Sequence, residues 1–284
     1  AVLNFARLYL NDSVITDSSA DAGGFLFASD FSKVYLSNIT ANQCVAEQEG
    51  GVVYANSRSE IFVDSSEFTN NFSHGNGGVF MIASIANITN SKLISNTAHA
   101  SQGGAVHIAG HLNIWNCTIR QNSCLGSGGQ ISVARKAMVA ISDSTCSEGS
   151  SYSMGGCLFM DTESTVNISR SIISNNNGTL GGGVGMRSGP FIGCALYMQD
   201  SVLQGNSASI GGGVFALQGD LYTTNVTFKY NSAGNLGGGI AGQLGGGNIS
   251  ASFIQNSAVF GGGMVMTYFK HRGVAVNCIF ECVN

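Results

Sequence analysis

Four carboxylates fall close together in the middle of the chain, Asp143, Glu148, Asp161 and Glu163, with Arg135, Lys136 and Arg170 nearby. Carboxylates facing one another across a cleft, alone or with a basic partner, are what polysaccharide cleavage requires, since one group delivers a proton while another removes one or attacks. These residues recur at no fixed interval, so solvated turns account for them as well as a site does. The histidines, His74, His99, His107, His111 and His271, read as sharing no register. His107 and His111 stand four apart in a strand-like segment, where that spacing does not bring two ligands together as it would on a helix. Eight cysteines fit an oxidising compartment. There is no CxxC and no His/Cys spacing of a zinc site. Cys146 reads as an inward-facing residue, as apt to be a buried thiol as a bridge. Cys278 and Cys282 share the last stretch and could pair with each other or across an end. No Ser-His-Asp arrangement or nucleophile elbow is visible. The expectation is therefore no catalytic, cofactor-binding or metal-binding residue, and no calcium.

A second chemistry is covalent modification. Nine positions fit the Asn-x-Ser/Thr glycan acceptor. Eight are expected to carry N-linked glycans: Asn11, Asn38, Asn87, Asn116, Asn167, Asn177, Asn225 and Asn248. Five of them (Asn11, Asn38, Asn116, Asn225 and Asn248) precede the next glycine pair by 12 to 14 residues. That spacing predicts a stripe of glycans at one register. The ninth, Asn71, is expected to be buried and unmodified for the reason that follows.

The elements that must position these residues are repeats. Gly-Gly followed by a short apolar stretch returns ten times, at Gly23, Gly50, Gly77, Gly103, Gly128, Gly155, Gly182, Gly212, Gly238 and Gly262, with separations of 24 to 30 residues. About nine residues earlier stands an apolar residue, then two variable ones, then Asn, ending at Asn42, Asn71, Asn96, Asn122, Asn176, Asn206, Asn231 and Asn256. The first unit offers Val14 to Asp17 instead, and the sixth, Cys146 to Gly149, lacks the Asn. A fixed period of this length marks a stacked-repeat architecture. Short runs of Val, Ile, Phe and Thr bounded by Gly and Asn read as strands. The fold class is all-β: a single right-handed parallel β-helix of about ten coils and roughly 27 residues per coil, spanning residues 1–284. At ~4.8 Å per coil its body is on the order of 50 Å long. Both ends read as uncapped. In register, the eight Asn residues are expected to stack as an amide ladder.

The strand after each glycine pair alternates, which places its third residue outside. In six units that residue is Phe27, Tyr54, Met81, Phe159, Met186 or Met266. Together they predict an exposed apolar stripe, the usual mark of a partner surface.

The two motifs together, in fixed order, resemble the repeats of the polymorphic outer-membrane proteins of chlamydiae, written GGA(I/L/V) and FxxN. Gly103-Gly104-Ala105-Val106 fits the first; Phe68 to Asn71, Phe228 to Asn231 and Phe253 to Asn256 fit the second. The resemblance implies a secreted or surface-displayed β-helix that adheres or builds surface structure. Most units here depart from GGA, and no autotransporter barrel follows in this sequence.

Charged residues make up only 10% of the chain, with 12 Lys and Arg and a net charge of −4, which offers nucleic acid no basic patch. No apolar run is long enough to span a membrane as a helix. The expectation is a non-catalytic, secreted or cell-surface structural protein that self-associates, end to end or laterally, into a filament. The first alternative is an adhesin stalk binding a host or matrix glycoprotein or glycan. The second is a polysaccharide-degrading β-helix enzyme.

Overall fold

The computed structural model of the chain describes residues 2–56, 58–99, 101–189, 192–266 and 274–281. Pro190, His271 and Cys282 lie outside them. The described residues form a parallel β-solenoid of about ten turns, each about 26 residues from the next, with no helix. Each coil contributes to three sheets. Sheet A gathers the strand after each glycine corner, as in Val53–Ala55 and Phe80–Ile82. Sheet B is bent, and takes either one long strand, as in Lys33–Asn42, or two short ones, as in Glu60–Asp64 and Glu67–Thr69. Sheet C holds short strands such as Phe72–Ser73. They contain 11, 17 and 9 strands respectively.

Alternation along every strand decides which residues are inside. In one coil Val79, Phe80, Ile82, Ala86, Ile88, Leu93 and Ala98 are all fully buried. All of these but Ala98 belong to one hydrophobic cluster that runs from coil to coil, so the core is a continuous column of side chains, and no coil can bury its faces alone. The glycine corner is needed because the chain turns there into the left-handed region. Gly77 has φ 67°, and a Cβ on it would sit 2.1 Å from the Phe80 carbonyl oxygen.

The last four coils carry Gly-Gly-Gly, and cross-coil pairing shows which two glycines turn the corner. The positive φ falls on Gly181, Gly211, Gly237 and Gly261, one residue before the pairs read from the sequence. The third glycine makes room in the core. A Cβ on Gly213, Gly239 or Gly263 would meet the ring of Phe228, Phe253 or Phe280 at 3.0 Å or less.

Two buried polar columns hold the coils in register. In the first, Asn71 Nδ2 donates to Asn96 Oδ1 at 2.9 Å, and Asn96 Nδ2 to Asn122 Oδ1 at 2.8 Å. The same links run from Asn176 to Asn206, Asn231 and Asn256. Each Oδ1 also accepts the backbone N–H of the preceding rung, and each second amide hydrogen goes to a backbone carbonyl, as in Asn96 to Phe68. The buried amides are thus fully used.

Asn42 is not a rung, contrary to the sequence reading. Ala41 pairs with Phe68, and it is Cys44 whose N–H donates to Asn71 Oδ1. Asn42 lies two residues short of the column and bonds Gln43, Thr69 and Asn70 at the surface. The first unit is displaced likewise: Ile15, not Val14, takes the inward position.

The gap at Gly149 is filled from elsewhere. Gln130, in a column that carries Phe25, Val52, Val79 and Ala105 before it and Cys157 after it, turns its amide into the ladder, accepting from Asn122 Nδ2 and N and donating to the Ser147 carbonyl. Gly149 is what admits it, because a Cβ there would lie 2.5 Å from Gln130 Cγ. Its N–H then donates to Asn176 Oδ1 at 2.8 Å, and the column resumes.

The second column was not read from the sequence. Ser66, Ser91, Cys117, Ser144, Ser171 and Ser201 follow the bend of sheet B and are buried. Each of the five serine hydroxyls donates to the carbonyl two residues back, as Ser144 does to Ser142 at 2.7 Å. Each also accepts the N–H of the coil before, as Ser144 does from Cys117 at 3.0 Å. The signal was present: these residues stand five before the ladder position in each of their units.

Candidate functional site

The described carboxylates that pair do so along the rod. Asp143 takes both ends of the Arg170 guanidinium at 2.7 Å and accepts from Trp115 Nε1. Glu148 holds Arg120 and Gln121. Asp161 holds Arg187, and Glu163 holds Arg135 with Lys136. The four acids therefore sit at three corners: Asp143 and Glu148 at the two bends flanking the second arm of sheet B, Asp161 and Glu163 together in the turn beyond sheet A, each held by its own cation. They do not converge. The Arg170 hydrogen bonds hold Asp143 below the usual carboxylate range, and Arg135 does the same for Glu163. For Asp161 burial pushes upward but is outweighed by Arg187 and Thr162.

Two of the histidines do share a register, which corrects the sequence reading. His74 and His99 follow paired residues Ser73 and Ala98, with Glu47 at the same place one coil earlier. His111 lies exposed on sheet B, paired with Ile85 and Met138. His107 is on the outer side of sheet A yet buried, with Nδ1 unpartnered and burial pulling it down to about 4. No group of three His, Cys, Asp or Glu among the described residues stands ready to enclose a metal ion.

Cys146 and Cys157 form a disulfide across the core. Among the described residues, Cys44, Cys117, Cys124, Cys194 and Cys278 are free thiols, and burial raises all five.

The outward stripe is corrected in three places. Met186 pairs with Met160 and is fully buried, and Met266 pairs with Gly242 and packs against the core. Both lie one residue past the outward position because of the glycine triplets. The column itself runs Phe27, Tyr54, Met81, His107, Ser132, Phe159, Gly185, Phe215, Ala241, Val265. Phe159 is outward but wholly buried, with the Arg187 guanidinium 5.2 Å from its ring centroid. The segments entering the corners at Gly103 and Gly155 fold over this face: Ser132 Oγ donates to Gln102 Oε1, and a Cβ on Gly185 would touch Met154. Phe27 and Tyr54 stack at 5.0 Å and are half-buried, as is Met81.

The glycan acceptors also separate. Asn38, Asn116 and Asn225 occupy one bend position, each with φ 52°. Asn87, Asn167 and Asn248 form a different column, at mid-strand on sheet B. Asn11 stands beside the bend and Asn177 on sheet C. Of the five expected at one register, Asn38, Asn116 and Asn225 share it, Asn11 stands one residue short and Asn248 falls in the other column, because the two columns differ by a few residues that sequence spacing cannot distinguish. All eight are exposed or half-buried, while Asn71 is buried.

Register, ladders and corners define a parallel β-solenoid repeat protein. No family of known sequence pattern, no curated protein and no solved structure matches the chain. No helix of the described residues is long and apolar enough to cross a membrane.

Proposed function

We propose that the chain is a non-catalytic extracellular structural protein, a glycosylated β-solenoid that assembles into a surface fibre or filament. The observation that carries this reading is the use of charge. Each ion pair among the described residues joins residues 25 to 28 apart, one coil to the next, as Lys33 to Glu60 and Arg170 to Asp143. Charge thereby reinforces length. Seven of the eight candidate glycan acceptors lie on sheet B or its bend, an arrangement that supports a one-sided sugar coat. Electron microscopy of protein purified from its native source without denaturant tests the assembly. Long filaments support it; short rods dispersed even at high concentration overturn it. Peptide mass mapping after glycosidase treatment tests the coat, with Asn71 as the acceptor that must stay unmodified.

One observation favours a second reading, an adhesin stalk. Tyr9, Tyr35 and Phe62 stack ring on ring along the outer face of sheet B in three adjacent coils, with Tyr9 exposed and the other two half-buried. A local patch suits a discrete ligand better than a lateral seam that repeats along the rod. Dispersed rods that capture a matrix glycoprotein, and lose it on Tyr35→Ala, would support this reading.

A further inference from the structure

The stacking of coils brings together three side chains that are far apart in sequence. Glu47, His74 and His99 follow equivalent residues of sheet C, whose pairing sets Ala46 beside Ser73 and Ser73 beside Ala98. Backbone hydrogen bonds continue that register through the three residues: His74 N–H donates to the Ala46 carbonyl at 3.0 Å and His99 N–H to the Ser73 carbonyl at 2.8 Å. In-register parallel neighbours stand ~4.8 Å apart. All three side chains are exposed. His74 Nε2 is already 3.5 Å from Glu47 Oε2. The two imidazoles lie edge to face with centroids 6.2 Å apart, over the ring of Phe72, which is 4.9 Å from one and 5.9 Å from the other.

We propose that Glu47, His74 and His99 bind a divalent cation of the zinc class, an ion that spans three successive coils. Two imidazole nitrogens and a carboxylate oxygen are the donor set that such ions prefer over calcium or magnesium, which take oxygen ligands. The strand spacing is compatible with chelation, since ligand nitrogens bind at about 2.0–2.1 Å and the rings need only tilt toward each other. Exposed side chains make that rotation at little cost. As they stand the three side chains do not enclose an ion; the solenoid fixes their backbone positions, side-chain rotation completes the site on binding, and the unfolded chain lacks it. Water completes the coordination.

Isothermal titration calorimetry with zinc chloride, on protein lacking any histidine tag, tests the assignment. The expected result is one saturable event at one ion per chain, weakened roughly tenfold or more in His74→Ala and in His99→Ala. Glu47→Gln should weaken it less, His111→Ala should leave it unchanged, and calcium chloride should give no saturable heat. Zinc should also raise the melting temperature of the wild-type chain and not that of His99→Ala, because the ion binds only the folded register. Absence of saturable zinc binding, or binding indifferent to both histidine substitutions, overturns the site. Binding indifferent to Glu47→Gln overturns the three-ligand assignment. The three positions are exposed, so circular dichroism of each variant should match the wild type, and a fold-related loss is thereby separated from a lost ligand.

Discussion

Gln130→Val places at position 130 the residue type that the same column carries at Val52 and Val79, and removes only the amide that mends the ladder. It leaves the Asn122 backbone N–H and one Asn122 Nδ2 hydrogen without their partner, while the Ser147 carbonyl keeps the Gln121 N–H. Both donors belong to a buried residue. An orphaned buried polar group costs roughly 1–3 kcal/mol, so two of them set the loss at about 2 kcal/mol or more, the lower figure applying if water enters the space the amide leaves. Gly149→Asn alone should also be costly, because its Cβ would lie 2.5 Å from Gln130 Cγ and 2.3 Å from the Gly156 carbonyl oxygen. Combined, the two substitutions restore the arrangement of the other coils: the introduced asparagine amide reaches toward Asn122, and the introduced valine vacates the space it needs. Full recovery is not expected, since the Gly156 carbonyl must still give way. The diagnostic is non-additivity, with the double variant more stable than the sum of the singles by at least about 1 kcal/mol. Urea unfolding with hydrogen exchange resolved to the coils around residues 119–150 is the appropriate assay, because repeat stacks can open locally. A Gln130→Val variant within about 0.5 kcal/mol of wild type, or strictly additive singles, would refute the repair.

Ser144→Ala should destabilise by about 1–2 kcal/mol, because the Cys117 N–H loses its acceptor, whereas Cys117→Ser should be neutral or stabilising; denaturation midpoints decide both. His107 is held neutral by burial, down to about 4, so the unfolded chain binds the extra proton first. Stability should fall as pH drops from about 6.5 toward 4, by about 3 kcal/mol in full, and His107→Met should flatten that slope in pH-dependent unfolding. Asp143 is lowered by Arg170, so its contribution is present above the ordinary carboxylate range and lost as pH falls through the lowered value. In Arg170→Gln, carbon-detected NMR should find Asp143 titrating at higher pH than in the wild type. Replacing both Cys146 and Cys157 by Ala frees a loop of sequence separation 11, and the denaturation midpoint should fall by about 3 kcal/mol equivalent, as it should on reduction.

The fold was legible because glycine corners and Asn rungs are backbone requirements, which the sequence must meet at every turn. The register was less so. Three consecutive glycines permit two alignments, and only cross-coil hydrogen bonding shows that Gly181, not Gly182, turns the corner; Met186 and Met266 were misplaced for that reason. Ile39 to Asn42 imitates the ladder motif because Ile39 is buried too, but in the serine column, where its N–H donates to Ser66 Oγ. Gln130 was illegible because its role lies in a coil position normally apolar, and depends on a missing Cβ 19 residues away. The covering of Phe159 and His107 depends on how corner segments fold over sheet A, which no strand pattern encodes.

The amide ladder also has a sense. From Asn71 to Asn256 every side-chain bond runs the same way, nitrogen of the earlier coil to oxygen of the later one, and Gln130 keeps that order through the gap. Aligned amides polarise one another. The column is therefore an internal electric axis, its oxygens turned toward lower residue numbers and its N–H groups toward higher. A solenoid built this way is a vector and not merely a rod, and two such bodies placed head to head would oppose their axes where head to tail they would add.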